Sequence, residues 1–164
     1  MAVWRTKVTE MPTTQDLAVW NRLVQTHKDF AQASTEFLAG NIDRVALIRY
    51  ALSSGHGKHT AIYTLRSLKE TDLQALFSEL VFLASSAHGA LEAIREAILS
   101  LPREWVLARI EAVAEPLLAD GTYDEYRRLL ELYELLDPVL THKLAARAVQ
   151  HPDPDIQEAG QDFL

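Results

Sequence analysis

The stretch that decides the fold is Tyr50-Ala-Leu-Ser-Ser-Gly-His-Gly57, because it returns at an offset of 32 as Phe82-Leu-Ala-Ser-Ser-Ala-His-Gly89. Four of the eight positions are identical between the two stretches. A second step of the same length reaches Ala114-Glu-Pro-Leu-Leu-Ala-Asp-Gly121, so Gly57, Gly89 and Gly121 share one spacing. Half of the six glycines in the chain follow this period, which indicates an internal repeat.

Apolar residues flank each of these stretches at helical spacing. Before the turns they recur every three or four residues, as at Val45, Ile48 and Leu52, which is typical of one face of a helix. After each turn, a second helix with an apolar face is predicted. Its equivalent positions are Ile62, Ile94, Tyr126 and Ile156, which are 32 residues apart except for the last step of 30. Each unit is therefore predicted to be a helix A, a glycine or proline turn and a helix B. The glycine that follows helix A is expected to form a left-handed C-cap.

Four helix pairs that cannot bury their apolar faces alone predict an all-α solenoid. The last unit, LTHKLAARAVQHPDPDIQEAGQDFL (residues 140–164), resembles HEAT-type repeats, with a Pro-Asp-Pro-Asp turn followed by Ile-Gln-Glu-Ala. The likeness covers roughly residues 42–164 and the short period suits the short HEAT-like repeats. It implies a right-handed α-α superhelix of about four helical pairs. Most members of that family are protein-binding scaffolds, and a minority are enzymes, including bilin lyases and a DNA glycosylase type.

The domain organisation predicted from the chain is a single domain over residues 1–164. Residues 1–12 are predicted to form an N-terminal arm, residues 13–40 a helical cap, and residues 41–164 the four HEAT-like helix pairs. Thr13 or Thr14 is the expected N-cap of the cap helix, and Gly40-Asn41 its end. We expect the cap to cover the open apolar face of the first repeat.

Composition excludes several classes of function. The chain has no cysteine, which fits a reducing compartment, and the first residues lack the apolar core of a signal peptide, so a cytoplasmic protein is expected. No stretch is long and apolar enough for a membrane span. The net charge of −7 makes nucleic acid an unlikely partner.

The residues that most resemble a reactive site are the histidines of the Ser53–His59 stretch. His56 and His59 lack a third ligand nearby, so we interpret the stretch as a turn between two helices and expect no metal. Glu111 and Glu115 lie one turn apart on a helix, where paired carboxylates are usually solvated. No catalytic residue and no cofactor is therefore predicted.

A polar line on the B helices is the best candidate for a binding site. Position 63 recurs at an offset of 32, which aligns Tyr63, Arg95 and Arg127, with Arg66 and Arg128 within a turn of this line. The resemblance to HEAT-like repeats implies that B helices line the concave face. Arginine and tyrosine are enriched in binding hot spots, so these five residues are the predicted partner-binding residues. The same resemblance implies a competing interpretation, a structural ladder in which the arginines bond to a neighbouring turn at Asp120 or Asp153.

These observations favour a non-catalytic scaffold that binds a protein or an acidic peptide along its concave helix-B surface. Two alternatives stay open at this point: a small HEAT-like enzyme or ligand-handling protein, similar to a bilin lyase, and a structural module of a larger protein. The chain ends on Phe163 and Leu164 without a polar cap. This apolar edge is expected to meet further repeats or another domain of a longer chain, a partner protein, or a second copy in a homodimer.

Overall fold

A computed structural model describes residues 11–86 and 89–164, which divide into two compact units between residues 42 and 43. Residues 1–10 of the predicted N-terminal arm lie outside the described residues. All the regular secondary structure of the described residues is helical. The all-α class predicted from the sequence is therefore confirmed. In the same two ranges, no helix is both long and apolar enough to cross a membrane.

Among its described residues, the first unit contains one long helix, α1 (Thr14–Ala39). Thr13 caps it as predicted, because its Oγ1 accepts from the backbone N–H of Asp16 at 3.1 Å while its own N–H donates to the Asp16 carboxylate at 2.9 Å. Gly40 ends the helix by donating its N–H to the carbonyl of Glu36 at 2.8 Å. No residue of α1 is buried. Its role as a cap stays a prediction.

The second unit contains ten α-helices and one 3-10 helix among its described residues. The A helices of the four predicted pairs are α2 (Arg44–Ser54), α5 (Phe77–Ser86), α8 (Ile110–Ala119) and α10 (Pro138–Val149). The B helices are α3 (Lys58–Thr64), α6 (Leu91–Leu99), α9 (Tyr123–Leu136) and α11 (Pro154–Gln161). The connections hold short elements that the repeat pattern did not predict, namely the 3-10 helix Leu65–Ser67, α4 (Glu70–Ala75) and α7 (Arg103–Leu107).

Each A helix contacts the B helix of its own unit, and the units also contact one another. The helix α9 packs against α5, α6, α8, α10 and α11, so it forms the centre of this part of the chain. The B helices contact one another in chain order, from α3 to α6, α9 and α11. The handedness of the stack, a right-handed superhelix in the HEAT-like interpretation, stays a prediction.

The core is built from the apolar positions that recur with the repeat. On the B helices, the four equivalent residues are all almost completely buried: Ile62, Ile94, Tyr126 and Ile156. The A helices contribute buried side chains that lie at helical spacing, among them Ile48, Leu52, Leu80, Val81, Ile110 and Leu144. The period of the repeat therefore coincides with the period of burial in the second unit.

The turns correct one expectation about glycine. Within the residues that the structure describes, a left-handed C-cap follows helix A only at the first turn, and it is Gly55 (φ 77°) rather than Gly57, which precedes α3 at φ 74°. Gly121 has no positive φ. It is needed for space instead, because a Cβ there would lie 2.5 Å from the carbonyl oxygen of Leu117. The shared spacing of the glycines thus reflects different physical requirements at different turns.

A close approach of backbones joins the two helices of the last pair. A Cβ on Gly160 of α11 would lie 2.8 Å from the carbonyl oxygen of Ala145 and 2.9 Å from the backbone N of Val149, both in α10. The glycine lowers the intrinsic stability of α11 by about 1 kcal/mol relative to alanine. It lets the two helices pack closely, which explains a glycine in the middle of a short helix.

Candidate functional site

Three of the five predicted binding residues converge on one carboxylate. Arg95 of α6 donates from Nη2 to Glu131 Oε2 at 2.6 Å, and Arg128 of α9 donates from Nη1 to the same oxygen at 3.1 Å. The Nε of Arg127 lies 3.7 Å from Glu131 Oε1. We call these four residues, Arg95, Arg127, Arg128 and Glu131, the arginine cluster.

The helix geometry explains why these residues meet. Arg127, Arg128 and Glu131 are three and four residues apart on α9, which places them on one helix face. Arg95 occupies the repeat-equivalent position of Arg127 on α6, and α6 packs against α9. Arg95 also donates from Nη2 to the carbonyl of Arg128 at 3.2 Å. The repeat therefore brings its guanidinium to the same carboxylate.

The cluster holds more positive than negative charge. Asp162 forms an ion pair with Arg127, so three guanidinium groups share two carboxylates and one positive charge is left over. Burial raises the pKa of Glu131, but the hydrogen bonds from Arg95 and Arg128 outweigh this effect, so the pKa lies below its usual value. The Asp162 carboxylate raises the pKa of Arg127. Glu131 is therefore ionised at neutral pH.

Exposure differs among the three arginines. The side chain of Arg95 is only 16% exposed, and its Nε is buried without a hydrogen-bond acceptor. Arg127 and Arg128 are about one third exposed. Guanidinium groups carry five N–H donors each, and the carboxylates present accept from only some of them. A further oxyanion would reach the cluster from the side of Arg127 and Arg128.

The two remaining predicted residues form a contact of their own. The Arg66 guanidinium carbon lies 3.9 Å from the centre of the Tyr63 ring, a cation–π arrangement. Tyr63 is 47% exposed. This pair lies on α3 and the 3-10 helix, whereas the arginine cluster lies on α6 and α9, so the predicted line of five residues divides into two groups.

Sequence reasoning missed the acceptors of the arginine cluster. It named Asp120 or Asp153 as bonding partners, whereas the arginines bond to Glu131 and Asp162 instead. The signal for Glu131 was in the chain, because a carboxylate four residues after an arginine on a helix is a common ion pair. Asp162 could not be found this way, since its pairing with Arg127 depends on how α11 packs against α9.

A groove lies between α6 and α9 beside the cluster. It has a volume of about 480 Å³ and is lined by Leu91, Glu92, Arg95, Glu96, Leu99 and Leu135. Leu99 is 41% exposed and Leu135 is 54% exposed, so its apolar wall is accessible to solvent. The repeat pattern did not single out this groove.

A second cavity of about 170 Å³ lies between α8 and α10, with the ring of Tyr133 among its lining residues. Burial raises the pKa of the Tyr133 phenol, and Glu111 and Glu115 add to the effect. Each of these carboxylates is paired, Glu111 with Lys143 and Glu115 with Arg147. Because Glu111 and Glu115 each form an ion pair with a cation, neither carboxylate is left unpaired to bind a ligand.

The histidine stretch forms the turn that was predicted for it. The helix α2 ends at Ser54 and α3 begins at Lys58, with His56 exposed between them. Within the described part of the chain, no three histidine or carboxylate side chains are grouped as metal ligands would be.

Comparison of the chain with protein-family models, with curated proteins and with solved structures finds no match in any of the three.

Proposed function

We propose that this chain is a non-catalytic protein-binding module that receives an acidic segment of a partner on its helix-B surface. The proposal includes a HEAT-like, right-handed superhelix with the B helices on the concave face. Helix pairs that recur with one period and ion pairs between neighbouring units support this arrangement. A cysteine-free sequence fits the reducing cytoplasm.

The observation that carries the proposal is the excess of guanidinium groups in the arginine cluster. Three arginines face two carboxylates, and two of the arginines are accessible to solvent. Arginine binds carboxylates with charge-assisted, often bidentate hydrogen bonds. In a chain whose net charge is −7, a local positive site also favours the correct orientation of an acidic partner.

The structural role of the cluster and the binding role are compatible. Arg95 is mostly buried and joins α6 to α9 through Glu131. Arg127 is held by Asp162, which is 50% exposed near the end of the chain. A carboxylate of a partner would compete with Asp162 for Arg127 and bind Arg128 directly, while the bonds of Arg95 stay in place.

The test is a binding titration with a labelled peptide. A fluorescein-labelled peptide that alternates glutamate and leucine is titrated with the wild-type chain and with the double variant Arg127→Gln, Arg128→Gln, and its anisotropy is recorded. We expect the double variant to lose about tenfold or more in affinity, equivalent to about 1.4 kcal/mol or more. Added salt should weaken binding by the wild type.

A matched control separates this site from general electrostatics. Arg22→Gln and Arg109→Gln remove two exposed arginines outside the cluster and should leave the affinity unchanged. Equal affinity of the wild type and the cluster variant for the acidic peptide would overturn the proposal. Circular dichroism of each variant checks that the helices are retained.

The C-terminal edge is a second proposed contact surface, with a second copy of the chain as its partner. Leu164 is 61% exposed, and the ring of Phe163 lies beneath Arg127 at 5.3 Å. Analytical ultracentrifugation of the wild type and of Leu164→Ser tests this: a dimer that the substitution dissociates supports it, and a monomer at all concentrations contradicts it.

A further inference from the structure

We infer that the groove between α6 and α9 binds an apolar side chain of the same partner segment, followed by a basic residue at Glu92 and Glu96. This inference rests on the proposed function and names the chemistry of the partner. The partner would then present an acidic, an apolar and a basic residue in succession to three adjacent regions of the B-helix surface.

The groove and the arginine cluster are continuous because they share a residue. Arg95 lines the groove and also donates to Glu131 at the centre of the cluster. A segment bound at Arg127 and Arg128 through one carboxylate therefore has the groove next to it.

The apolar wall of the groove is suited to an aliphatic or aromatic anchor. Leu99 and Leu135, one from each helix, are both large and about half exposed, and Leu91 adds a third leucine. The groove volume of about 480 Å³ lies in the range of binding pockets, about 300–1,000 Å³. Removal of such exposed apolar surface from water favours binding by about 25 cal/mol for each Å² buried.

Charge complementarity selects the residue next to the anchor. Glu92 and Glu96 lie one turn apart on α6 and line the groove. Both are exposed, and neither has a cation within ion-pair distance among the residues that the structure describes. The cation among the lining residues, Arg95, is already bound to Glu131. A lysine or arginine of the partner would therefore meet two uncompensated carboxylates.

The same carboxylates exclude polyanionic partners from this groove. A phosphate backbone or an anionic lipid surface would bring negative charge against Glu92 and Glu96. An acidic segment without a basic residue would bind at the arginine cluster but be repelled at the groove. The occupant is thus a protein segment with charges of both signs around an apolar residue.

The experiment uses three labelled peptides with the folded 164-residue chain. The first carries two glutamates, a leucine and two lysines in that order; the second replaces the leucine by alanine; the third replaces the lysines by glutamine. Each peptide is titrated by fluorescence anisotropy with the wild type and with three variants. The variants are Leu135→Ser, the double variant Glu92→Gln, Glu96→Gln, and the double variant Arg127→Gln, Arg128→Gln. Leu47→Ser and Glu104→Gln, at exposed positions of α2 and α7, are the matched controls.

We expect Leu135→Ser to weaken the first peptide about tenfold and to leave the second unchanged, because the alanine peptide has no anchor to lose. The double glutamine variant at positions 92 and 96 should remove the preference for the first peptide over the third. Leu99→Ser provides an independent substitution of the groove wall. Because the side chains substituted in the groove and in the controls are exposed, the melting temperature of these variants is expected to stay close to that of the wild type.

The outcomes separate this inference from the proposed function. The groove inference is wrong, while the proposed function stands, if only the arginine double variant binds the first peptide more weakly. In that case Leu135→Ser, Leu99→Ser and the double glutamate variant all bind it like the wild type. If no variant changes the binding of any peptide, both are wrong. If Leu135→Ser binds the first peptide more weakly and the control Leu47→Ser binds it like the wild type, the groove inference is supported.

Discussion

Arg147 of α10 forms a bidentate ion pair with Glu115 of α8, which lies one repeat length earlier in the chain. The two hydrogen bonds measure 2.6 Å and 3.0 Å. Lys143 and Glu111 form a second ion pair over the same separation. Successive A helices of the last two units are thus joined by side chains at equivalent repeat positions.

We predict that the Arg147–Glu115 pair contributes modestly to stability. Both side chains are about half exposed, so a double-mutant cycle with Arg147→Ala and Glu115→Ala should give a coupling energy of about 0.2–1 kcal/mol. Urea unfolding of the four proteins measures these values, and a coupling above about 2 kcal/mol would contradict a solvated pair.

Glu131 should make the stability of the second unit depend on pH. Its pKa is lower in the folded chain than the ordinary value of 4.5, so its contribution is present above that value and is lost as the pH falls through the lower folded pKa. We expect Glu131→Gln to lower the free energy of unfolding by about 1–3 kcal/mol at neutral pH, because the charged acceptor of two arginines is removed. The difference between wild type and variant should shrink as the pH falls below 4.5.

This prediction is measured by urea unfolding of both proteins from neutral to acidic pH. The control is Glu134→Gln on the same helix, an exposed glutamate outside the arginine cluster. A constant difference between wild type and Glu131→Gln at every pH would show that the ionised carboxylate is not the stabilising group.

Gly160→Ala is predicted to destabilise the packing of α11 against α10. The new Cβ would lie under 3 Å from two backbone atoms of α10, which cannot move independently of the helix. Overpacking of this kind costs about 3 kcal/mol at the upper end, and alanine returns about 1 kcal/mol of helix propensity. The net loss of about 2 kcal/mol should appear in chemical unfolding. Gly89→Ala is the control, since its Cβ would meet nothing within 4 Å.

Thr122→Ala is predicted to destabilise the second unit through the start of α9. Thr122 and Glu125 form a capping box, in which Thr122 N–H and Oγ1 donate to the Glu125 carboxylate at 2.8 Å and 2.6 Å. Loss of such a cap costs about 0.5–2 kcal/mol. Since α9 contacts helices on several sides, thermal unfolding of the whole second unit should shift to lower temperature.

The equivalent substitution in the first unit provides the comparison. Thr13→Ala removes the capping box of α1, no residue of which is buried. We expect it to lower helicity by circular dichroism without moving the main thermal transition. A shift as large as that of Thr122→Ala would contradict the expected difference between the two caps.

Local features were predictable because they depend on neighbours in the chain. The helical spacing of apolar residues located the four helix pairs, and the capping residue Thr13 and the Pro-Asp turn before α11 act within a few residues. The short elements α4 and α7 were missed, since each is at most six residues long and too short to show an apolar period. Side chains at equivalent repeat positions are buried alike because they pack against equivalent neighbours.

By itself, the sequence determined an all-helical chain with a fixed repeat period, its core positions and the line of arginines on the B helices. Only the tertiary structure decided which residues of other helices the arginines touch. The pairing of Arg95 with Glu131, that of Arg127 with Asp162, and the groove beside Leu135 depend on how α6, α9 and α11 pack. Partners on different helices, such as Arg95 and Glu131, lie more than a full repeat apart in the chain. No local rule relates residues so distant, because their contact follows from packing geometry rather than from chain connectivity.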